Sequence, residues 1–219
     1  MAERNGVMLL NAKLDEGKNI CVGLDTENNK IPDCVLPTYD RMIGIGPRMR
    51  MFNEDIIKAT RDLACAYKYN LSFYLTNGQQ GIWALEFSIK DANRLAPDVP
   101  IILDGKFGDV RVSAEKYAKF AFEFLGADAV TVSPWVGYED SLDAFSEYED
   151  KMIFILCKTS NKGSSDLQDF YVLPSRYAPK HFHESNRVPG ESYKKRVKRI
   201  ADSIVPLYQV VADQAHFLS

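Results

Sequence analysis

The chain has 219 residues, 46% hydrophobic and 26% charged, with a formal net charge of −3. That suits one sizeable globular domain and argues against a general nucleic-acid or anionic-membrane surface, while leaving room for local basic clusters that hold an anion. No apolar run approaches the roughly 20 residues needed to cross a bilayer, and Met1–Gly6 lacks a charged-then-apolar leader pattern, so a cytoplasmic protein is expected. The four cysteines, Cys21, Cys34, Cys65 and Cys157, are scattered with no C-x-x-C pair. Three lie in apolar or strand-like surroundings and read as small buried hydrophobes rather than disulfides or metal ligands. His181, His183 and His216 fall late in the chain. His181-Phe182-His183 has no carboxylate or Cys at helical spacing and reads as a loop feature, so no metal is expected.

In chain order, Asn19–Leu24 is an apolar, strand-like run ending at Asp25, with Asn28, Asn29 and Pro32 marking the loop beyond. Asp25 is thus a carboxylate at a strand's C-terminal end, suited either to a site or to an Asx turn. Met51–Tyr67 carries Phe52, Ile56, Ala59, Leu63 and Ala66 at helical spacing, and Tyr67–Tyr74 alternates like a strand. Lys68 inside that aromatic stretch needs a partner if it is buried. A second helix is expected over about Gly78–Leu95.

The stretch Asp104-Gly105-Lys106-Phe107-Gly108-Asp109 follows the buried-strand run Ile101–Leu103. On a strand, Asp104 and Lys106 project to the same face. Two opposite charges leaving a buried strand end together point either to a site or to a surface ion pair. Gly105 and Gly108 read as a turn that lets something approach closely, and Ser113 as the N-cap of a helix starting near Ala114.

That helix spans roughly Ala114–Leu125, with Tyr117, Ala121, Phe124 and Leu125 on one face, and stops at Gly126. Ala129–Val132 is a strand closed by Ser133-Pro134; Asp140–Phe145 is a short helix. Met152–Cys157 is another apolar strand, followed by the polar loop Lys158–Ser165. Residues 173–191 read as a long loop with Pro174, Pro179, Pro189 and Gly190. Ser192–Ala212 reads as a basic helix interrupted at Pro206, its charge run a solvated face. Apolar strands alternating with helices predict a parallel sheet covered by helices, an α/β fold forming one domain over residues 1–219.

From about Asn19 to Asp166 the chain resembles the orotidine 5′-monophosphate decarboxylase family. Six blocks occur in order: CVGLD ending at Asp25, Phe52-Asn53, AYKYNLSFY around Lys68, DGKFGD, LGADAVTVSPWVG from Leu125, and CKTSN at Cys157–Asn161. The resemblance implies a (β/α)8 TIM barrel, a homodimer, and decarboxylation of orotidine 5′-monophosphate to UMP and CO2 in pyrimidine biosynthesis, with no metal and no organic cofactor. It implies that Lys68, Asp104, Lys106 and Asp109 form an alternating charged array, Asp109 reaching the neighbouring subunit's site. It further implies that Asp25 and Lys68 hold ribose hydroxyls, that Ser160 hydrogen-bonds the pyrimidine edge, that Asn161 binds substrate, and that Ser113 contacts ligand across the dimer. No nucleic-acid or membrane partner is implied.

The pattern departs from the family in two places. Val110-Arg111-Val112-Ser113 replaces a stretch that commonly ends in Thr, leaving no role assigned to Arg111. The family's later strands, with their phosphate loop, lid Gln and phosphate-gripping Arg, have no counterpart here, so the barrel is expected to be truncated after five or six βα units. Arg176 or Lys180 could serve as the phosphate grip instead. Three readings remain open: a working decarboxylase, completed by another polypeptide or using an altered phosphate site; a non-catalytic remnant or half of a split barrel; or a Mg2+-using decarboxylase of sugar keto-acid phosphates. The last shares D-x-K-x-x-D but lacks the CVGLD and CKTSN context.

Overall fold

The computed structural model describes residues 4–32, 44–164 and 166. The expected loop at 173–191, the helix at 192–212, Cys34 and the three histidines lie outside the described residues.

Five parallel strands form one sheet in the order β1-β2-β3-β4-β5: β1 Ile20–Gly23, β2 Ala64–Asn70, β3 Ile101–Phe107, β4 Ala129–Val132 and β5 Met152–Ile155. Each strand pairs with the one before it in sequence. Single-direction winding of this kind builds a barrel, whereas a doubly wound sheet reverses direction at a switch point. The α/β class read from the sequence is therefore the observed one.

The helices are α1 Gly6–Asp15, α2 Ile45–Thr60, α3 Leu71–Leu75, α4 Gly78–Leu95, α5 Arg111–Ala118 and α6 Asp143–Ser146. One sheet face carries Tyr67, Tyr69, Ile101, Leu103, Val130 and Val132 into the main core, against Met49 and Ile57 of α2 and Leu85 and Ile89 of α4. The other face has a smaller cluster that includes Cys21, Ala66, Ile102 and Ala129, with Met152 and Phe154 packed on it. Strand alternation places Lys68, Asp104 and Thr131, each two residues on from a member of that cluster, on this second face. Burial pushes the Cys21 thiol up to about 12 and also raises Cys65 and Cys157, in keeping with inert cysteines.

The helix expected over Met51–Tyr67 instead spans Ile45–Thr60 and buries Gly46, Met49, Asn53 and Ile57, leaving Ala59 and Leu63 exposed. Ala64, Cys65 and Ala66 belong to β2, which is buried along nearly its whole length. Small apolar residues in such a run fit a helix period and a doubly buried strand equally well, and pairing with β1 and β3 decides between them. The strand then ends at Asn70, whose side chain accepts from Ser72 N–H at 3.3 Å and caps α3.

Helix α4 and strand β4 occupy the expected spans. Helix α5 starts at Arg111, so Ser113 lies inside its first turn and donates its N–H to Val110 O rather than capping. A π-helical turn, Lys119–Phe124, then shifts the face: Ala114, Ala118, Ala121, Phe122 and Leu125 are buried while Tyr117 and Phe124 are exposed. Gly126, at φ 72°, ends the segment as expected. The sequence reading missed α1, whose Val7, Met8 and Leu14 are exposed and leave no regular apolar stripe.

Helices α2 and α4 meet where Gly46 donates its N–H to Gln80 Oε1 at 3.1 Å, and an added Cβ at Gly46 would lie 2.7 Å from Gln80 O. Gly46→Ala should therefore force the helices apart and destabilise the fold by about 1–3 kcal/mol, seen as a melting temperature several degrees lower.

Candidate active site

In a parallel sheet the C-terminal strand ends share one edge, and four of them place charged or polar groups side by side. Asp25 follows β1, Lys68 lies on β2, Asp104 and Lys106 on β3, and Thr131 on β4. Lys68, 8% exposed, places Nζ 3.4 Å from both Asp25 oxygens and 3.5 Å from Asp104 Oδ2. Lys106 Nζ donates to both oxygens of Asp104, at 2.6 and 2.7 Å. Two ammonium groups thus alternate with two carboxylates, so each buried charge has an opposite partner. Asp25 also accepts from Asn70 N–H at 3.1 Å.

Burial pushes the Asp104 carboxyl up. The hydrogen bond from Lys106, the charge of Lys68 and the hydroxyl of Thr131 outweigh it and hold the group below the usual carboxylate range.

Asp104 and Lys106 meet, but not by regular alternation. Between Leu103 and Phe107 the pairing with β4 slips, setting four steps of β3 against two of β4 from Val130 to Val132. Lys106 sits in this bulge at φ 48°, the one left-handed non-glycine among the described residues, at a cost of about 1–3 kcal/mol. Neither Gly105 nor Gly108 needs a positive φ. A Cβ on Gly105 would strike the Phe107 ring, and one on Gly108 would lie 2.8 Å from Ser133 Cβ. The close approach these glycines permit is therefore by the protein's own side chains.

The remaining expected site residues stand apart. Asp109 is half-buried and accepts from Val110 N–H at 2.8 Å, with no ion pair to Lys68 or Lys106 among the described residues. Ser113 is half-buried on α5. Ser160 and Asn161 are exposed on the loop after β5, where Asn161 accepts from the Thr159 hydroxyl at 2.6 Å. Arg176 and Lys180 lie outside the described residues. Arg111 ties α5 to the segment around α6, pairing with Glu115 at 3.2 Å, Asp143 at 2.6 Å and Glu147 at 2.9 Å.

Two supports escaped the sequence reading. Thr131 Oγ1 accepts from Lys106 N–H at 2.9 Å and donates to Asp104 Oδ1 at 2.7 Å. Behind Asp25, Tyr74 Oη donates to Leu24 O at 2.6 Å and accepts from Asn53, which also donates to Ser88 Oγ at 3.0 Å and accepts from Thr26. An Asn on the buried face of α2 was the available signal.

Fold and site together define a barrel-type β/α protein with its charged groups at the C-terminal strand ends, where this architecture keeps its chemistry. The model of the orotidine 5′-phosphate decarboxylase / HUMPS family matches residues 18–193, and the chain belongs to that family. It is 45% identical over 157 residues to an orotidine 5′-phosphate decarboxylase of Roseiflexus castenholzii, covering 72% of this chain and 53% of that one. Among solved structures, an OMP decarboxylase of Leishmania donovani superposes with TM-score 0.65 at 36% identity, covering 77% of this chain and 59% of the other. A putative orotidine-monophosphate-decarboxylase of Toxoplasma gondii does so with TM-score 0.68 at 34% identity, covering 78% and 54%. The chain spans about half the length of the curated relatives it matches. Among the described residues, no helix is long and apolar enough to cross a membrane.

The depressed Asp104 carboxyl carries a stability consequence with a definite sign. A folded-state pKa below the unfolded value of about 3.9 contributes stability that is present above that pH and lost as pH falls through the folded value. Urea midpoints of the unsubstituted chain should drop between pH 5 and pH 2 by more than those of Asp104→Asn, which has no such proton to take up.

Proposed function

We propose that this chain is a decarboxylase domain converting orotidine 5′-monophosphate to UMP and CO2 in cytoplasmic pyrimidine biosynthesis. The observation that carries this reading is the Lys68–Asp104–Lys106 array at the strand ends, in a member of this family. The curated relatives named orotidine 5′-phosphate decarboxylase support it, as do the CVGLD and CKTSN blocks.

The two lysines differ in reach. Lys68, with a side chain 10% exposed between two carboxylates, anchors the array; Lys106, with a side chain 44% exposed, is the ammonium a substrate can approach. Breaking the bond between ring carbon C6 and the carboxylate releases CO2 and leaves the electron pair on C6, with little delocalisation. An ammonium already fixed beside C6 stabilises that charge as it develops and delivers a proton to form the C6–H bond; solvent restores the lysine. Asp104 holds the ammonium in place before substrate arrives, so little reorganisation is needed at the moment of reaction.

Asp25 and Lys68 take the ribose hydroxyls and Ser160 the pyrimidine edge, with Asn161 beside it in the substrate-binding loop. Asp109 and Ser113 complete the neighbouring site of a homodimer, a role that fits an Asp109 carboxylate with no cation from the array in its own chain.

Lys106→Ala should lower turnover of orotidine 5′-monophosphate by at least about 100- to 1,000-fold while leaving the melting temperature within a few degrees. Retained turnover would sink the assignment. Mixing the separately inactive Lys106→Ala and Asp109→Ala chains should restore activity, because one site of the mixed dimer then holds both residues. Mixtures as inactive as their components would remove Asp109 from the neighbouring site.

A further inference from the structure

We infer that Thr131 is a positioning residue for the reaction, its single hydroxyl setting both the backbone origin and the charged tip of the Lys106 side chain. The kinetic consequence rests on the decarboxylase reading above; the structural content rests on contacts alone.

A backbone N–H can only donate. Thr131 Oγ1 therefore accepts from Lys106 N at 2.9 Å, which frees its one proton for Asp104 Oδ1 at 2.7 Å. The same Asp104 carboxylate takes the Lys106 ammonium through both oxygens. Thr131 thus fixes where Lys106 begins and, through Asp104, where it ends.

Among the described residues no other side chain does this. Lys106 is a long side chain, 44% exposed, that would otherwise sample many rotamers. Lys68 approaches Asp104 only at 3.5 Å, from the other oxygen. Thr131 is 1% exposed on β4, paired with Phe154 of β5, and its branched side chain has few rotamers open to it. It is the one uncharged side chain that hydrogen-bonds the Asp104 carboxylate among the described residues. The bulge explains the need: with the ladder slipped between Leu103 and Phe107, the Thr131 hydroxyl serves as acceptor for the Lys106 N–H of a residue held in a left-handed conformation.

The test compares Thr131→Val, which keeps the shape and removes the hydroxyl, with Thr131→Ser, which keeps the hydroxyl. If the valine chain does not melt cooperatively, Thr131→Ala replaces it. With orotidine 5′-monophosphate, the hydroxyl-free variant should lose at least about tenfold in kcat with KM within about threefold, and the serine variant should recover to within about threefold. The second readout needs no turnover: a pH titration of the Asp104 carboxyl carbon by 13C NMR in the full chain. The groups facing that carboxyl are Lys68 from β2 and Lys106 from β3, with Asp25 beyond Lys68, and all are retained in every variant. The Asp104 midpoint should rise without the hydroxyl and return with serine.

A shifted, serine-rescued titration in a protein that does not turn over orotidine 5′-monophosphate would uphold the positioning role and defeat the decarboxylase reading. An unmoved Asp104 titration in the folded hydroxyl-free variant would overturn the inference, as would a serine variant no better than valine.

Discussion

Everything at the strand ends depends on one carboxylate. Asp104, 4% exposed, is shared by two ammonium groups and one hydroxyl, and each of its neighbours is held in place partly by it. A buried carboxylate is costly unless its partners are in place before it is desolvated. Here they come from three adjacent strands, so the site exists only when β2, β3 and β4 are paired in register. The chemistry proposed for Lys106 inherits its precision from that pairing.

The fold supplies the arrangement through simple alternation. One face of the sheet packs against α2 and α4, while the other carries a small apolar cluster and, two residues further along β2, β3 and β4, the polar groups. The exception is β3, where the bulge and the left-handed Lys106 break the regular pattern where the reactive ammonium is needed. Strain of this kind persists only where surrounding contacts over-determine it. The Thr131 hydroxyl, the Asp104 ion pair and the bond from Ser133 N–H to Phe107 O together do that.

Much of this was legible in the sequence, for physical reasons. The span of α4 and that of β4 could be read directly, because a stop signal and an uninterrupted period leave little choice. Lys68 in an aromatic strand demanded a partner, and it has two. Asp104 and Lys106 were expected together on the i, i+2 rule; they do meet, but through a bulge that no local pattern announces. The α2 and β2 boundaries were misplaced because Ala64-Cys65-Ala66 satisfies both periods until neighbouring strands are known. Thr131 was hidden for a related reason: inside Val130-Thr131-Val132 a threonine reads as a strand former, and only the slipped ladder opposite gives its hydroxyl a task.

The most direct measurement is an experimental structure of the chain with UMP bound. If the array performs the proposed reaction, Lys106 Nζ will lie within about 3–3.5 Å of pyrimidine C6, with Asp104 still bridging the two lysines. A nucleotide bound with its C6 turned away from Lys106, or bound at another edge of the sheet, would contradict the account.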